Sequence, residues 1–389
     1  MKVKQVTAAA LLACAGAASA QTSVTLYGVV DVPVEFVNHL ANAAPTINPV
    51  TGSVTQKPGG NRLGLASNGL SGSRFGLRGT EDLGGGLKAL FVLESGVSVD
   101  TGNLQQAGRL FGRQAFVGLQ SNTLGKLTLG RQYTALFDAF ANASPMRYAT
   151  LYEPLFLQLG TNAREDNVVK YTGVFGGLTT IAHYSFGVGV PTLGVTPISN
   201  GGNGEVPGNF RDNTAFGGAL IYNAGNLGLS AAYDQWNAAV VAGSPGVAKK
   251  AGVSANYTFG PAKLVGGYRW GDTKDGNGVS LLRDDYYWVG VNYQATTALG
   301  LTLAYYYDNV KTLRVASTAP GTNPANPWQI SFMTNYAFSK RTDVYVTAAY
   351  AKNSGLNVDT SANGFGSAYF LSQGNTNQLG VAAGIRHIF

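Results

Sequence analysis

The feature that most constrains the fold is an alternation of period two that starts afresh along the whole chain. In the stretch 299–311, Leu299, Leu301, Leu303, Tyr305 and Tyr307 alternate with Thr302, Ala304, Tyr306 and Asp308. In 328–338, Trp328, Ile330, Phe332, Tyr336 and Phe338 alternate with Gln329, Ser331, Met333 and Asn335. Successive side chains of a strand point to opposite faces, so each stretch reads as a strand with one apolar and one polar face. The first begins at Leu26: Leu26, Val30, Val32, Val34 and Phe36 share a face, and Tyr27, Asp31 and Glu35 take the other. Strands at 73–79 and 87–94 follow, then segments near 109–120, 126–133, 167–175, 178–186, 214–223, 227–236, 249–259, 262–271, 284–295, 299–311, 328–338, 342–352 and 376–389. The count is about sixteen, the even number that an up-and-down antiparallel barrel needs.

The connections alternate in length. Tight turns are expected at Glu81–Gly86, Ser121-Asn122, Gly176-Gly177, Ala224-Gly225-Asn226, Gly260-Pro261, Ala298-Leu299-Gly300 and Ser339-Lys340-Arg341. Long Gly/Asn/Pro/Ser-rich loops lie between them, beginning with 38–72, which holds a minor strand-like piece around Arg62-Leu63-Gly64-Leu65. Short turns at one rim and long loops at the other describe a transmembrane β-barrel with long extracellular loops. A secreted soluble all-β binding protein also has alternating strands, but a sandwich seldom needs so many without a domain break.

The N-terminus and composition give the compartment. Lys2 and Lys4, an apolar run from Val6 to Gly16 and Ala18-Ser19-Ala20 form a Sec signal peptide over 1–20, cleaved before Gln21. Leu11-Leu12-Ala13-Cys14 is a faint lipoprotein box, but the A-x-A site fits better. Cys14 is the one cysteine, so the domain 21–389 has no disulfide to hold it and depends on a large hydrogen-bonded structure. Without Lys2 and Lys4 the 27 basic residues become 25, against 20 acidic ones, a net of +5. No Lys/Arg run suits nucleic acid, so the excess is dispersed. Only 12% of residues are charged, whereas about 25% is usual for water-soluble proteins. An exported, charge-poor chain with no long apolar run after its leader points to the outer membrane, crossed by strands.

One stretch breaks the pattern. From Tyr133 to Asp166 the alternation stops, and Phe137, Phe140, Leu151, Tyr152, Leu155 and Phe156 cluster among the isolated charges Asp138, Arg147 and Glu153. An apolar connection this long must pack against something. Folding 133–166 into the barrel lumen satisfies it and narrows the passage. Strand parity turns Arg74, Arg78 and Lys170 toward the lumen. It leaves Arg113 and Arg131 open, because they share faces with Val117 and Leu129.

Nothing here looks catalytic. His39, His183 and His387 stand without a motif around them, and Gly84-Gly85-Gly86 joins two strands rather than opening a helix. No cofactor is expected. Without cysteines or paired histidines no metal site is expected either, and only surface carboxylates could hold Ca²⁺.

Several segments resemble the Gram-negative general-diffusion porins: 24–31 (VTLYGVVD), 73–91 (SRFGLRGTEDLGGGLKALF), 110–119 (LFGRQAFVGL), 129–133 (LGRQY), 338–343 (FSKRTD) and the end 384–389 (GIRHIF). The resemblance implies a sixteen-stranded homotrimer, set among outer-membrane lipid and lipopolysaccharide, with its third loop as the constriction. It implies that Phe389 closes a strand read by the barrel-assembly machinery. It also implies a constriction in which Arg74, Arg113 and Lys170, with Arg78 and Arg131 nearby, face Asp138 and Glu153 of the loop. That set carries one surplus positive charge before Arg78 and Arg131 are counted, so weak anion selectivity is expected for a channel passing small hydrophilic solutes and anions. A porin specific for one sugar or anion is the alternative. Pro33, Val92 and Lys170 depart from the family pattern, and at Pro33 a bend or bulge of the first strand is expected.

Overall fold

A computed structural model describes residues 23–48, 50–160, 163–189, 204–359 and 369–389. The expected leader, with Cys14, lies outside them. Sixteen long antiparallel strands form the wall. They are β1 (Ser23–Ala41), β2 (Arg74–Gly84), β3 (Leu87–Gly96), β4 (Gln114–Ser121), β5 (Gly125–Tyr133), β6 (Arg164–Phe175), β7 (Leu178–Ser185) and β8 (Ala215–Ala224). The second half comprises β9 (Leu227–Trp236), β10 (Val247–Phe259), β11 (Ala262–Lys274), β12 (Ser280–Gln294), β13 (Leu299–Leu313), β14 (Trp328–Ala337), β15 (Thr342–Lys352) and β16 (Asn377–Ile388). Each pairs with its sequence neighbours, and β1 closes the ring on β16, with Val29 opposite Ile388 and Val37 opposite Gly380. Closure leaves no unpaired edge, as the hydrocarbon of a membrane requires.

The period-two pattern resolves into two surfaces. Leu26, Val30, Val34 and Phe36 are exposed on the outer face of β1, while Asp31 and Glu35 are buried inside. Leu303 and Tyr305 of β13, and Ile330 and Phe332 of β14, likewise face out. The expected turns fall at one rim, but the one expected at Ala298-Leu299-Gly300 lies at 295–298, with Leu299 and Gly300 already in β13.

The first loop holds the strand expected around Arg62–Leu65, while β1 departs from expectation. β1 runs on to Ala41, and Gly59–Leu65 forms a short strand against its upper half, Val34 opposite Leu65. The lower half pairs with β2 up to Val29 opposite Arg74. Residues 30–33 therefore have no strand partner on that side, and Pro33 sits in this gap. Its missing N–H breaks no ladder there, and on the other side Pro33 stays in continuous register with Gly384. The bulge expected at Pro33 is absent; the register shift comes later, between Val37 and Leu40. The segment near 109–120 also becomes strand only at Gln114, so Arg109 and Arg113 stand on the loop before β4.

Candidate functional site

The stretch between β5 and β6 lies inside the barrel. Thr134 caps its first helix, α1 (Ala135–Phe140), by accepting from the Phe137 N–H at 3.3 Å. A short second helix, α2 (Leu155–Leu159), ends at Gly160, whose φ of 72° suits glycine. Ala135, Leu136, Ala139, Phe140, Met146 and Leu157 are buried against inward residues of the wall: Ile181, Ala219, Ala232, Trp288, Tyr306 and Met333. Those apolar lumen positions exist to seat the loop. Two glycines allow the close approach: a Cβ on Gly252 would meet the Phe140 ring at 2.6 Å, and one on Gly290 would meet Pro145 at 2.5 Å.

Wall side chains then grip the loop backbone. Trp288 Nε1 donates to Ala143 O at 2.8 Å, Asn292 Nδ2 to Pro145 O at 2.8 Å, and Ser331 Oγ to Tyr152 O at 2.7 Å. His183 Nδ1 accepts from Ala135 N at 3.3 Å, and Asp234 accepts from Leu136 N at 3.2 Å. Arg269 donates to Leu157 O at 2.6 Å, and its charge is met by Asp284 at 2.6 Å, with Lys250 3.6 Å from the same carboxylate. All three are fully buried.

Glu153 belongs to this anchoring and not to the passage. It is 1% exposed, and accepts from Ser144 Oγ at 2.6 Å, Met146 N at 3.1 Å, Ala149 N at 3.0 Å and Tyr306 Oη at 3.3 Å. Burial pushes its carboxyl above the usual range, and these donors pull it back only in part. The expectation that Glu153 faces the solute is corrected: the loop folds around it to satisfy its own backbone.

Asp138 is different. It lies in α1, a third of its side chain is exposed, and it pairs with Lys170, whose Nζ also donates to Tyr133 O at 2.8 Å. Lys126, on the same wall, is close enough to interact with both charges.

Beside this pair stands a cluster around Tyr133. Arg113 Nε donates to Glu94 at 2.7 Å, and its Nη2 donates to Tyr133 Oη at 3.1 Å. Arg164 donates to the same phenol oxygen at 3.0 Å, with its guanidinium 4.5 Å from the Tyr133 ring centre. That ring stacks on Phe137 of the loop at 3.9 Å. Arg74 approaches Glu94 at 3.6 Å and keeps 28% of its side chain exposed. Arg78 is exposed, 5.2 Å above the Tyr27 ring, and Tyr27 Oη donates to Glu94 at 3.0 Å.

Arg131 turns inward for a local reason. The β5–β6 register shifts between Gly130 and Gln132, and Gly130 takes a φ of 126° that favours glycine. Leu129 stays outside while Arg131 is buried. It pairs with Asp166 at 2.6 Å, which Arg109 also holds at 2.8 Å, so it belongs to a separate knot at the long-loop rim.

The structure thus brings together Arg74, Arg78, Arg113, Lys170 and Asp138, adds Glu94, Tyr133 and Arg164, and sets Glu153 and Arg131 apart. Glu94 was legible, because it continues the inward parity of Lys88 and Val92. Arg164 was not, because it follows a loop that resets the parity. Among the described residues no group of three or more His, Cys, Asp or Glu is placed to hold a metal.

Residues 7–356 match the family model of Gram-negative porins. An outer membrane porin of Bordetella pertussis is 32% identical over 99% of this chain and 100% of its own length. Outer membrane porin protein 32 of Delftia acidovorans is 31% identical over 99% of each. Among solved structures, an anion-selective porin from Comamonas acidovorans superposes with a TM-score of 0.72 and 27% identity, over 95% of this chain and all of its own.

Proposed function

The chain belongs to the Gram-negative porin family, and from that premise we propose that its channel prefers anions, selected where the inner loop faces the Arg74–Arg113–Arg164 wall. It is an outer-membrane porin, a channel and not an enzyme. The observation that carries the preference is the charge around Tyr133 and Asp138. Five cations, Arg74, Arg78, Arg113, Arg164 and Lys170, meet two carboxylates, Glu94 and Asp138. Glu94 is 4% exposed, whereas Arg74 keeps 28% of its side chain exposed and Arg78 is exposed, so these two guanidiniums are the charge most open to the passage. The surplus of three equals that of the full set the sequence implied, with Arg164 in place of Arg131 and Glu94 in place of Glu153. Charge elsewhere matters less, since beyond about 10 Å it is largely screened at 0.1 M salt. The likeness to an anion-selective porin supports the same reading.

Reversal potential across a dilute KCl gradient in a planar bilayer tests it. Anion preference that fades as salt rises is expected, and Arg74→Glu with Lys170→Glu should shift the channel toward cations. A wild-type potential favouring cations overturns the charge assignment. The assembly proposed with it is a homotrimer in outer-membrane lipid and lipopolysaccharide, checked by the mass of the detergent-extracted protein.

A further inference from the structure

We propose that the channel holds a second anion site on the tight-turn side of the inner loop, built by Arg147 and Lys263 and suited to a small solute bearing one or two carboxylates. It rests on the pore reading and adds a place where such a solute pauses. Beneath the loop lies a cavity of about 330 Å³, lined by Arg147, Lys263 and Arg386 with Asn292, Thr302 and Asn335. No carboxylate is among its described lining residues. Arg386 is neutralised by a two-pronged pair with Asp343, at 3.0 and 2.6 Å. Arg147 and Lys263 take part in none of the ion pairs among the described residues, and they repel one another. Two facing cations in a polar hollow lack a negative charge between them.

The backbone is arranged to present one of them. Arg147 and Tyr148 both adopt left-handed φ, 58° and 62°, a costly choice for two consecutive non-glycine residues. The turn is clamped on both sides, because Glu153 accepts from Met146 N and Ala149 N, and Tyr148 Oη donates to Phe137 O at 2.7 Å. With the flanking residues Met146 and Ala149 buried, the turn leaves Arg147 exposed. Lys263 is fixed opposite through Asn142 O, at 2.8 Å, which uses one of its three protons and leaves two for a ligand. The volume admits a few-carbon acid and not a large sugar.

Succinate is the probe, with conductance of wild-type channels measured against its concentration. Conductance should saturate, and Arg147→Gln with Lys263→Gln should raise the half-saturating concentration about tenfold or more, as loss of charged hydrogen bonds would. Lys263→Arg should stay close to wild type. If the double variant fails to assemble, Lys263→Gln alone should still show a raised half-saturation. Conductance linear in succinate, or half-saturation unmoved by these changes, overturns the site. KCl reversal potential on the same channels separates the two readings: anion preference without succinate saturation sinks only this inference.

Discussion

Asp138 and Glu153 sit on one loop, and their surroundings set them apart. Asp138 reaches water and Lys170; Glu153 is enclosed by donors from its own turn. Glu153→Ala should therefore leave ion preference nearly unchanged while loosening the loop. The cost should be about 1–3 kcal/mol for donors left unsatisfied, read as a lower melting temperature. The raised carboxyl sets a pH dependence as well. Between the ordinary carboxyl range and its raised value, the folded chain holds a proton that the unfolded chain has lost. Its contribution to stability is complete below the ordinary range and falls as pH rises through the raised value. Melting temperature should decline over that window, and the permanently neutral Glu153→Gln should remove that part of the decline. Glu94→Gln acts on the passage instead: it uncovers the charges of Arg74 and Arg113, so the reversal potential in dilute KCl should shift further toward anions.

The inner loop is an element that the wall was shaped to hold. Deleting 136–159 should raise single-channel conductance, and a folded deletion variant with unchanged conductance would mean the loop does not restrict the current. The same deletion should lower the melting temperature, because Ile181, Trp288, Tyr306 and Met333 would then face water. Arg269 anchors α2 through Leu157 O, and Asp284 holds Arg269. Asp284→Asn takes the nearest carboxylate from the buried charges of Arg269 and Lys250 and leaves them Asp308, and should cost about 3 kcal/mol, the lower end for breaking a buried pair from one side. The loop's place in the lumen was legible from its apolar run. Its grip was not, because Arg269, Asp284 and Trp288 lie on other strands and meet it only after closure.

At the scale of the whole molecule, stability rests on the closed ladder between β1 and β16. Phe389 extends it beyond the last strand: its N–H donates to Gly28 O and Gly28 N–H donates to Phe389 O, both at 3.1 Å. Its ring lies where a Cβ on Gly28 would come within 2.3 Å. Deleting Phe389 should lower the amount of barrel in the outer membrane while secretion and leader cleavage proceed. Equal outer-membrane levels of truncated and intact protein would remove its assembly role.

The sequence by itself determined the barrel, the number of its strands, the inner and outer faces and the rim of each connection. All of these follow from period two and turn chemistry, which are local along the chain. It also marked 133–166 as the exception. What only the tertiary structure decided is which charges meet. The Gly130 irregularity turns Arg131 inward, and the loop encloses Glu153. The pairing of β2 through β6 brings Arg74, Arg113 and Arg164 around Glu94 and Tyr133. Electrostatic partners are set by distance in space, and an antiparallel barrel makes neighbours of residues that the sequence keeps far apart.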